Sequence, residues 1–203
     1  MSGILLKVNG ISSLTDARYC AGMGVQKLGL NFDQNGSGSM DPNQFSSVKA
    51  WIEGVSWIGT YFGTDIDTFK NLVAQYQIVD WVLLPELLMA NADLTDQPLT
   101  INLKVNYLSD ITFEYQSPVS GFEISTNSCL FQDGLEKLNS VLGENKRLYL
   151  EDIPNPEFVL DTHHQFPEIG FILVSGEEER PGWMDLSDLQ DMLEQLEDIS
   201  GPT

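Results

Sequence analysis

The stretch LLKVNGISSLTDARYCAGMG, residues 5–24, contains one strand-and-helix unit and decides the fold. Residues 4–8 form a mostly apolar run of strand length, and residues 13–23 have the amphipathic pattern of a helix. Ser12 or Ser13 is suited to cap this helix, and Asp16 places a negative charge in its first turn. Gly24 provides the stop, so the stretch predicts a strand that passes directly into a capped helix.

The same unit recurs along the chain. The predicted strands are residues 4–8, 27–32, 55–62, 80–84, 99–105, 121–125, 147–150 and 169–174. The predicted helices are residues 13–23, 41–53, 65–76, 133–142, 155–166 and 185–196. Residues 85–96 predict a short helix and a loop, and residues 107–116 predict a poor helix that is rich in residues favouring extended structure. Eight strands that alternate with helices in so short a chain predict a single (β/α)8 TIM barrel over residues 1–203. A Gly-x-Gly-x-x-Gly motif is absent from the sequence, so a Rossmann fold has no support.

Charge and hydropathy exclude several classes of partner. Thirty acidic and ten basic residues give a formal net charge of −20. We expect no nucleic-acid partner and no membrane partner, because both need clustered Lys and Arg to neutralise phosphate. The sequence has no apolar run of about 18 residues, so we expect no transmembrane helix. We predict a cytoplasmic protein that is a monomer or a homodimer.

Cysteines and carboxylates give no metal signature. Cys20 and Cys129 are too few for a disulfide framework and lack metal-ligand spacing, so free thiols are expected. The acidic residues expected near the carboxyl ends of the strands are Asp33, Glu86, Glu151, Asp152, Glu177 and Glu178. Mg²⁺ or Ca²⁺ is conceivable there. Because no calcium-loop spacing occurs, we favour solvated loop carboxylates, with no metal and no cofactor.

Motifs at both ends of the chain resemble the phosphoribosylanthranilate isomerases, the small β/α barrels of tryptophan biosynthesis. KVNGIS, residues 7–12, is similar to the family's opening motif Lys-Ile-Cys-Gly-Ile-Thr. SGEEERPGWMD, residues 175–185, is similar to Ser-Gly-x-Glu-x-x-Pro-Gly-x-Lys-Asp. The resemblance implies an Amadori rearrangement of a phosphorylated aminoaldose. In the family, a Cys after strand one is the general base and an Asp after strand six is the general acid.

The two catalytic positions implied by the resemblance have changed. Asn9 stands at the Cys position, and a carboxamide cannot take a proton from carbon. Ser125 stands at the Asp position, or Thr126 if the register shifts by one, and a hydroxyl without a basic partner is a poor general acid. The loss of both groups predicts that the isomerase reaction has been lost.

The ligand-binding positions implied by the resemblance are also altered. The Ser175-Gly176 turn of the phosphate site is kept, whereas Glu151 and Asp152 replace small residues in the turn after strand seven. A carboxylate about 4 Å from a phosphate costs several kcal/mol even at an effective dielectric of about 20. Gly38 stands where the family has an Arg that helps to hold the anthranilate.

Three charged residues are predicted to point into the barrel. Lys7 lies two residues before Asn9, Glu123 lies two before Ser125, and Lys104 has a corresponding place in strand five. We favour a structural Lys–Glu network, because buried charges must be paired. A relocated acid–base pair is the alternative.

Three functions remain open from the sequence. The favoured hypothesis is an isomerase-like barrel that has lost the reaction and has a binding or regulatory role, with a small-molecule ligand at the barrel mouth, or acts on a different substrate. The second is a working phosphoribosylanthranilate isomerase, an intramolecular aldose–ketose isomerase with substituted residues. The third is an acidic module that binds a basic protein partner, with steep salt dependence.

Overall fold

Eight parallel strands close into a barrel in the order β1-β2-β3-β4-β5-β6-β7-β8. The structure is a computed structural model that describes residues 3–36, 39–90, 94, 97–106, 119–127, 146–176, 178–180, 183–184 and 186–200. The strands are β1 (Leu5–Asn9), β2 (Lys27–Phe32), β3 (Ser56–Tyr61), β4 (Asp80–Leu83), β5 (Thr100–Val105), β6 (Val119–Ser125), β7 (Arg147–Glu151) and β8 (Gly170–Val174). This closed parallel barrel confirms the predicted (β/α)8 fold.

Helices follow most of the strands in the described ranges. They are α1 (Leu14–Gly22), α2 (Pro42–Trp51), α3 (Ile66–Tyr76), α4 (Pro85–Ala90), α5 (Pro156–Gln165) and α6 (Ser187–Ser200). The helices predicted at residues 107–116 and 133–142 lie outside the described residues. Within the described part of the chain, no helix has the length and apolar character needed to cross a bilayer.

Polar caps begin the helices at the positions expected from the sequence. Side chains of Ser13, Asp41, Asp65 and Asn155 each accept a hydrogen bond from a backbone N–H in the first turn of their helix. The caps of α2 and α5 are each followed by a proline, which has no N–H to leave unsatisfied. These caps determine where each helix begins after its strand has ended at the mouth of the barrel.

Apolar side chains fill the layer between the strands and the helices. The buried Trp81 ring lies edge-to-face against Phe69, with ring centroids 5.1 Å apart, and 5.7 Å from the ring of Phe32. Gly59 on the adjacent strand leaves the space that this indole occupies, because a Cβ there would overlap the ring. Close packing of this kind resists changes of volume.

The apolar stripe of the last helix enters the same core. Leu189, Leu193 and Leu196 of α6 are buried, as the spacing of the leucines predicts. The helix begins at Ser187 rather than at residue 185. An antiparallel pair, β9 (Glu178–Arg180) and β10 (Trp183–Met184), precedes it. Strands of three and two residues are too short to give a periodic signal in the sequence.

Two side-chain expectations can be compared with the structure. Cys20 is a buried free thiol, and burial raises its pKa to about 12. Cys129 lies outside the described residues. A large aromatic side chain such as that of Trp51 is predicted to anchor the core or a loop. This prediction is wrong, because Trp51 is 77% exposed at the end of α2.

Candidate functional site

Among the described residues, three ion pairs cross the interior of the barrel. They are Lys27–Asp80, Lys7–Glu123 and Lys104–Glu151. The first joins residues that begin β2 and β4, the second joins β1 to β6, and the third reaches the last residue of β7. None of these strand pairs is adjacent in the sheet, so the side chains must meet inside the barrel. The interior is therefore charged and paired, where most such barrels hold branched apolar residues.

The Lys7–Glu123 pair is closed to solvent. Lys7 Nζ lies 2.6 Å from Glu123 Oε1, and the two side chains are 0% and 2% exposed. Burial lowers the pKa of Lys7, and the adjacent Glu123 carboxylate offsets part of that effect. The structure confirms the inward positions predicted for both residues. No ligand can reach the pair without a rearrangement of the barrel, so its geometry fits a structural role.

The Lys104–Glu151 pair lies at the mouth of the barrel, where the strands end. Lys104 Nζ contacts Glu151 Oε1, and the side chains are 17% and 21% exposed. Burial lowers the pKa of Lys104, while the charges of Glu123 and Asp152 act in the opposite direction. The expectation that Glu151 is a solvated loop carboxylate is wrong, because Glu151 is the last residue of a strand and faces an amine.

Asn9, which the resemblance in sequence aligns with the family base, ends β1 beside Gly29 of β2. A Cβ at Gly29 would overlap the Asn9 carboxamide, so this glycine makes room for the side chain. Asn9 Oδ1 is buried and has no hydrogen-bond partner among the described residues. Thr60 Oγ1, on β3, is also buried and has no hydrogen-bond partner among the described residues. Thr60 was not predicted as a site residue, although the alternation of inward and outward side chains along β3 could have indicated it.

Ser125, which the resemblance in sequence aligns with the family acid, is hydrogen-bonded to Asp152, the residue that follows β7. Its hydroxyl donates to the Asp152 carboxylate and accepts from Asn127 N–H at 3.1 Å. The Thr126 hydroxyl donates to the backbone carbonyl of Asp152 at 2.5 Å. Asp152 has φ +56°, the left-handed conformation that favours glycine. A carboxyl group therefore lies beside Ser125. The sequence predicts only that this group opposes a phosphate.

The Ser175-Gly176 turn closes the seam between β8 and β1. Ser175 N–H donates to Asn9 O at 2.9 Å, and the Ser175 hydroxyl donates to Gly10 O at 2.8 Å. The residue is fully buried. Both of its donors are therefore engaged within the protein and do not point at an anion. Gly176 follows with φ +104°, a conformation that other residues rarely adopt.

The barrel brings most of the expected site residues to one end. Asn9, Ser125 and Glu151 end their strands, and Asp152 and the Ser175-Gly176 turn follow strand ends. Because parallel strands place their carboxyl ends together, these residues form the rim where barrel enzymes bind substrates. Gly38 lies outside the described residues. The described rim offers carboxylates, an amide, hydroxyls and the amine of Lys104.

Similarity to known proteins is found in structure rather than in sequence. No family model matches the chain, and no curated protein matches it. The phosphoribosylanthranilate isomerase of Thermus thermophilus superimposes with a TM-score of 0.68 at 18% identity, over 97% of this chain and 100% of that one. TrpF from Jonesia denitrificans gives 0.66 at 15% identity, over 98% and 100%. Monomers generated from the dimeric Thermotoga maritima isomerase give 0.66 at 16%, over 95% and 96%.

These likenesses confirm the resemblance at the level of the fold. The chain has the barrel architecture of the phosphoribosylanthranilate isomerases across nearly its whole length, at an identity that fits a divergent sequence.

Proposed function

We propose that this barrel, built like the phosphoribosylanthranilate isomerases, no longer catalyses their reaction and uses its mouth for binding, regulation or a different substrate. The observation that supports this most strongly is the state of the two proton-transfer positions. Asn9 presents a carboxamide oxygen, and the Ser125 hydroxyl is hydrogen-bonded to Asp152. The Amadori rearrangement must move a proton from carbon and give another to the ring oxygen, so it needs a titratable base and acid.

The residues that the resemblance assigns to the phosphate site support the same proposal. Glu151 and Asp152 carry carboxylates where a doubly charged ester would have to approach. The two donors of Ser175 are engaged with the backbone carbonyls of Asn9 and Gly10. Lys104 offers a compensating charge, but it is in contact with Glu151. Repulsion between like charges at a partly desolvated site costs several kcal/mol at about 4 Å. A barrel of this kind would act in the cytoplasm, as a monomer or homodimer.

One observation favours a second candidate, a working isomerase with a relocated acid. The Asp152 carboxylate lies within hydrogen-bond distance of Ser125, the residue that the resemblance aligns with the family acid. The difficulty for this candidate is the base, because Asn9 cannot supply one and Lys7 is sealed in its pair with Glu123. We therefore place it second.

A turnover assay separates the two candidates. We expect the purified chain to convert phosphoribosylanthranilate no faster than buffer does, because neither family position can transfer a proton. Product formation is followed by the fluorescence of the anthranilate group, with the Thermus thermophilus enzyme as the positive control. Circular dichroism of the same sample shows that the chain is folded.

Enzyme-dependent turnover would overturn the proposal, and one pair of variants would then test the relocated acid. Asp152→Asn should abolish such activity. Asp161→Asn, an exposed position on α5, should leave it unchanged.

A further inference from the structure

We propose that Lys104 is a nucleophilic amine that forms an imine with a small, unphosphorylated aldehyde or ketone at the barrel mouth. The choice of an unphosphorylated ligand rests on the proposed function, because Glu151 and Asp152 oppose a phosphate. The nucleophile itself does not depend on that argument.

Lys104 combines desolvation with access, as an amine nucleophile requires. Its side chain is 17% exposed, so a ligand in the mouth can reach it, whereas Lys7 below it is completely enclosed. Partial desolvation disfavours the ammonium form and increases the share of free amine. The charged groups that act on Lys104 come from three strands: Glu123 on β6, Glu151 and Asp152 near the end of β7, and Lys7 on β1.

The Glu151 carboxylate, in contact with Lys104, accepts and returns the proton that imine formation requires. The ammonium of Lys104 first gives a proton to the Glu151 carboxylate, and the free amine then attacks the carbonyl carbon. A C–N bond forms, and the amine proton moves to the former carbonyl oxygen, giving a neutral carbinolamine. Protonated Glu151 next donates its proton to that hydroxyl, the C–O bond breaks and water leaves as the protonated imine forms. Atoms and charges balance without an oxidant or a reductant.

Unpartnered polar atoms on other strands suit a hydroxylated carbonyl compound. Asn9 Oδ1 and Thr60 Oγ1 are buried and have no partner among the described residues. A buried polar atom without a hydrogen bond is costly, and native proteins leave few such atoms without a partner. Hydroxyl groups of a small hydroxyaldehyde would satisfy them and would hold its carbonyl carbon in the mouth.

Reductive trapping with glycolaldehyde and cyanoborohydride tests the proposal. We expect Lys104 to be alkylated faster than the exposed Lys70 at about pH 7, because a lowered pKa raises the fraction of free amine. Peptide mass mapping of the unmodified chain gives both rates in one sample. The rate at Lys104 should also level off at a pH below the ordinary lysine value of 10.5.

Matched variants and a second probe complete the experiment. Lys104→Arg should remove the fast phase, and Lys70→Arg should leave it intact. Equal labelling of Lys104 and Lys70 in the native chain would overturn the proposal, even if Lys104→Arg fails to fold. Glycolaldehyde phosphate should label Lys104 at least about tenfold more slowly. If it labels equally fast, the exclusion of phosphate is wrong while the nucleophile stands.

Discussion

Replacing Lys7 with methionine is expected to lower the free energy of unfolding by about 3–5 kcal/mol. Methionine has a similar length, so the change removes charge with little change in volume. The Glu123 carboxylate, 2% exposed, would then be left in the barrel interior without the amine that lies 2.6 Å from it. Urea denaturation measures the loss as a lower midpoint with an unchanged slope.

The matched controls separate the pair from the general effect of losing a lysine. Lys70→Met, at an exposed site on α3, should change stability by no more than about 0.5 kcal/mol. Lys7→Met combined with Glu123→Leu should recover most of the loss, because an apolar pair needs no counter-charge. If Lys7→Met costs no more than Lys70→Met, or if the two interior substitutions simply add, the buried pair does not hold the barrel as described.

The largest change in ligand binding is expected when the carboxylates of Glu151 and Asp152, at the end of β7, are removed. Glu151→Ser with Asp152→Gly should raise the affinity for ribose 5-phosphate by at least about tenfold per carboxylate. The first substitution also frees the charge of Lys104 to face the mouth. The second should be tolerated by the backbone, because glycine readily adopts the φ of +56° found at Asp152. Calorimetric titration measures the two dissociation constants.

A variant with the same change in net charge provides the control for that titration. Asp161→Asn with Glu168→Gln removes two exposed carboxylates, one on α5 and one on the chain after it. We expect this variant to bind ribose 5-phosphate as weakly as the unmodified chain does. If it gains as much affinity as the mouth variant, the overall charge of −20 governs the exclusion of anions and the turn does not.

Local features of the chain were predictable because they depend on neighbouring residues. The strand-to-helix unit at residues 5–24 was recognised from its apolar run and its cap, and Ser13 does cap α1. The inward positions of Lys7 and Glu123 followed from the alternation of strand side chains.

Pairings across the barrel were not predictable from the same signals. Lys104 meets Glu151, because the tilt and closure of the barrel bring β5 and β7 together across β6. Alternation tells which side chains point inward but not which of them meet. The bond between Ser125 and Asp152 likewise depends on the register of β6 and β7, in which Ser125 lies opposite Glu151.

The most direct test of the central claim is a titration of ribose 5-phosphate into the unmodified chain at an ionic strength of about 0.15 M. If the mouth repels a doubly charged ester, the dissociation constant should be about 1 mM or weaker. A dissociation constant of about 10 μM or tighter would contradict the account, because the carboxylates of Glu151 and Asp152 could not then be opposing the phosphate.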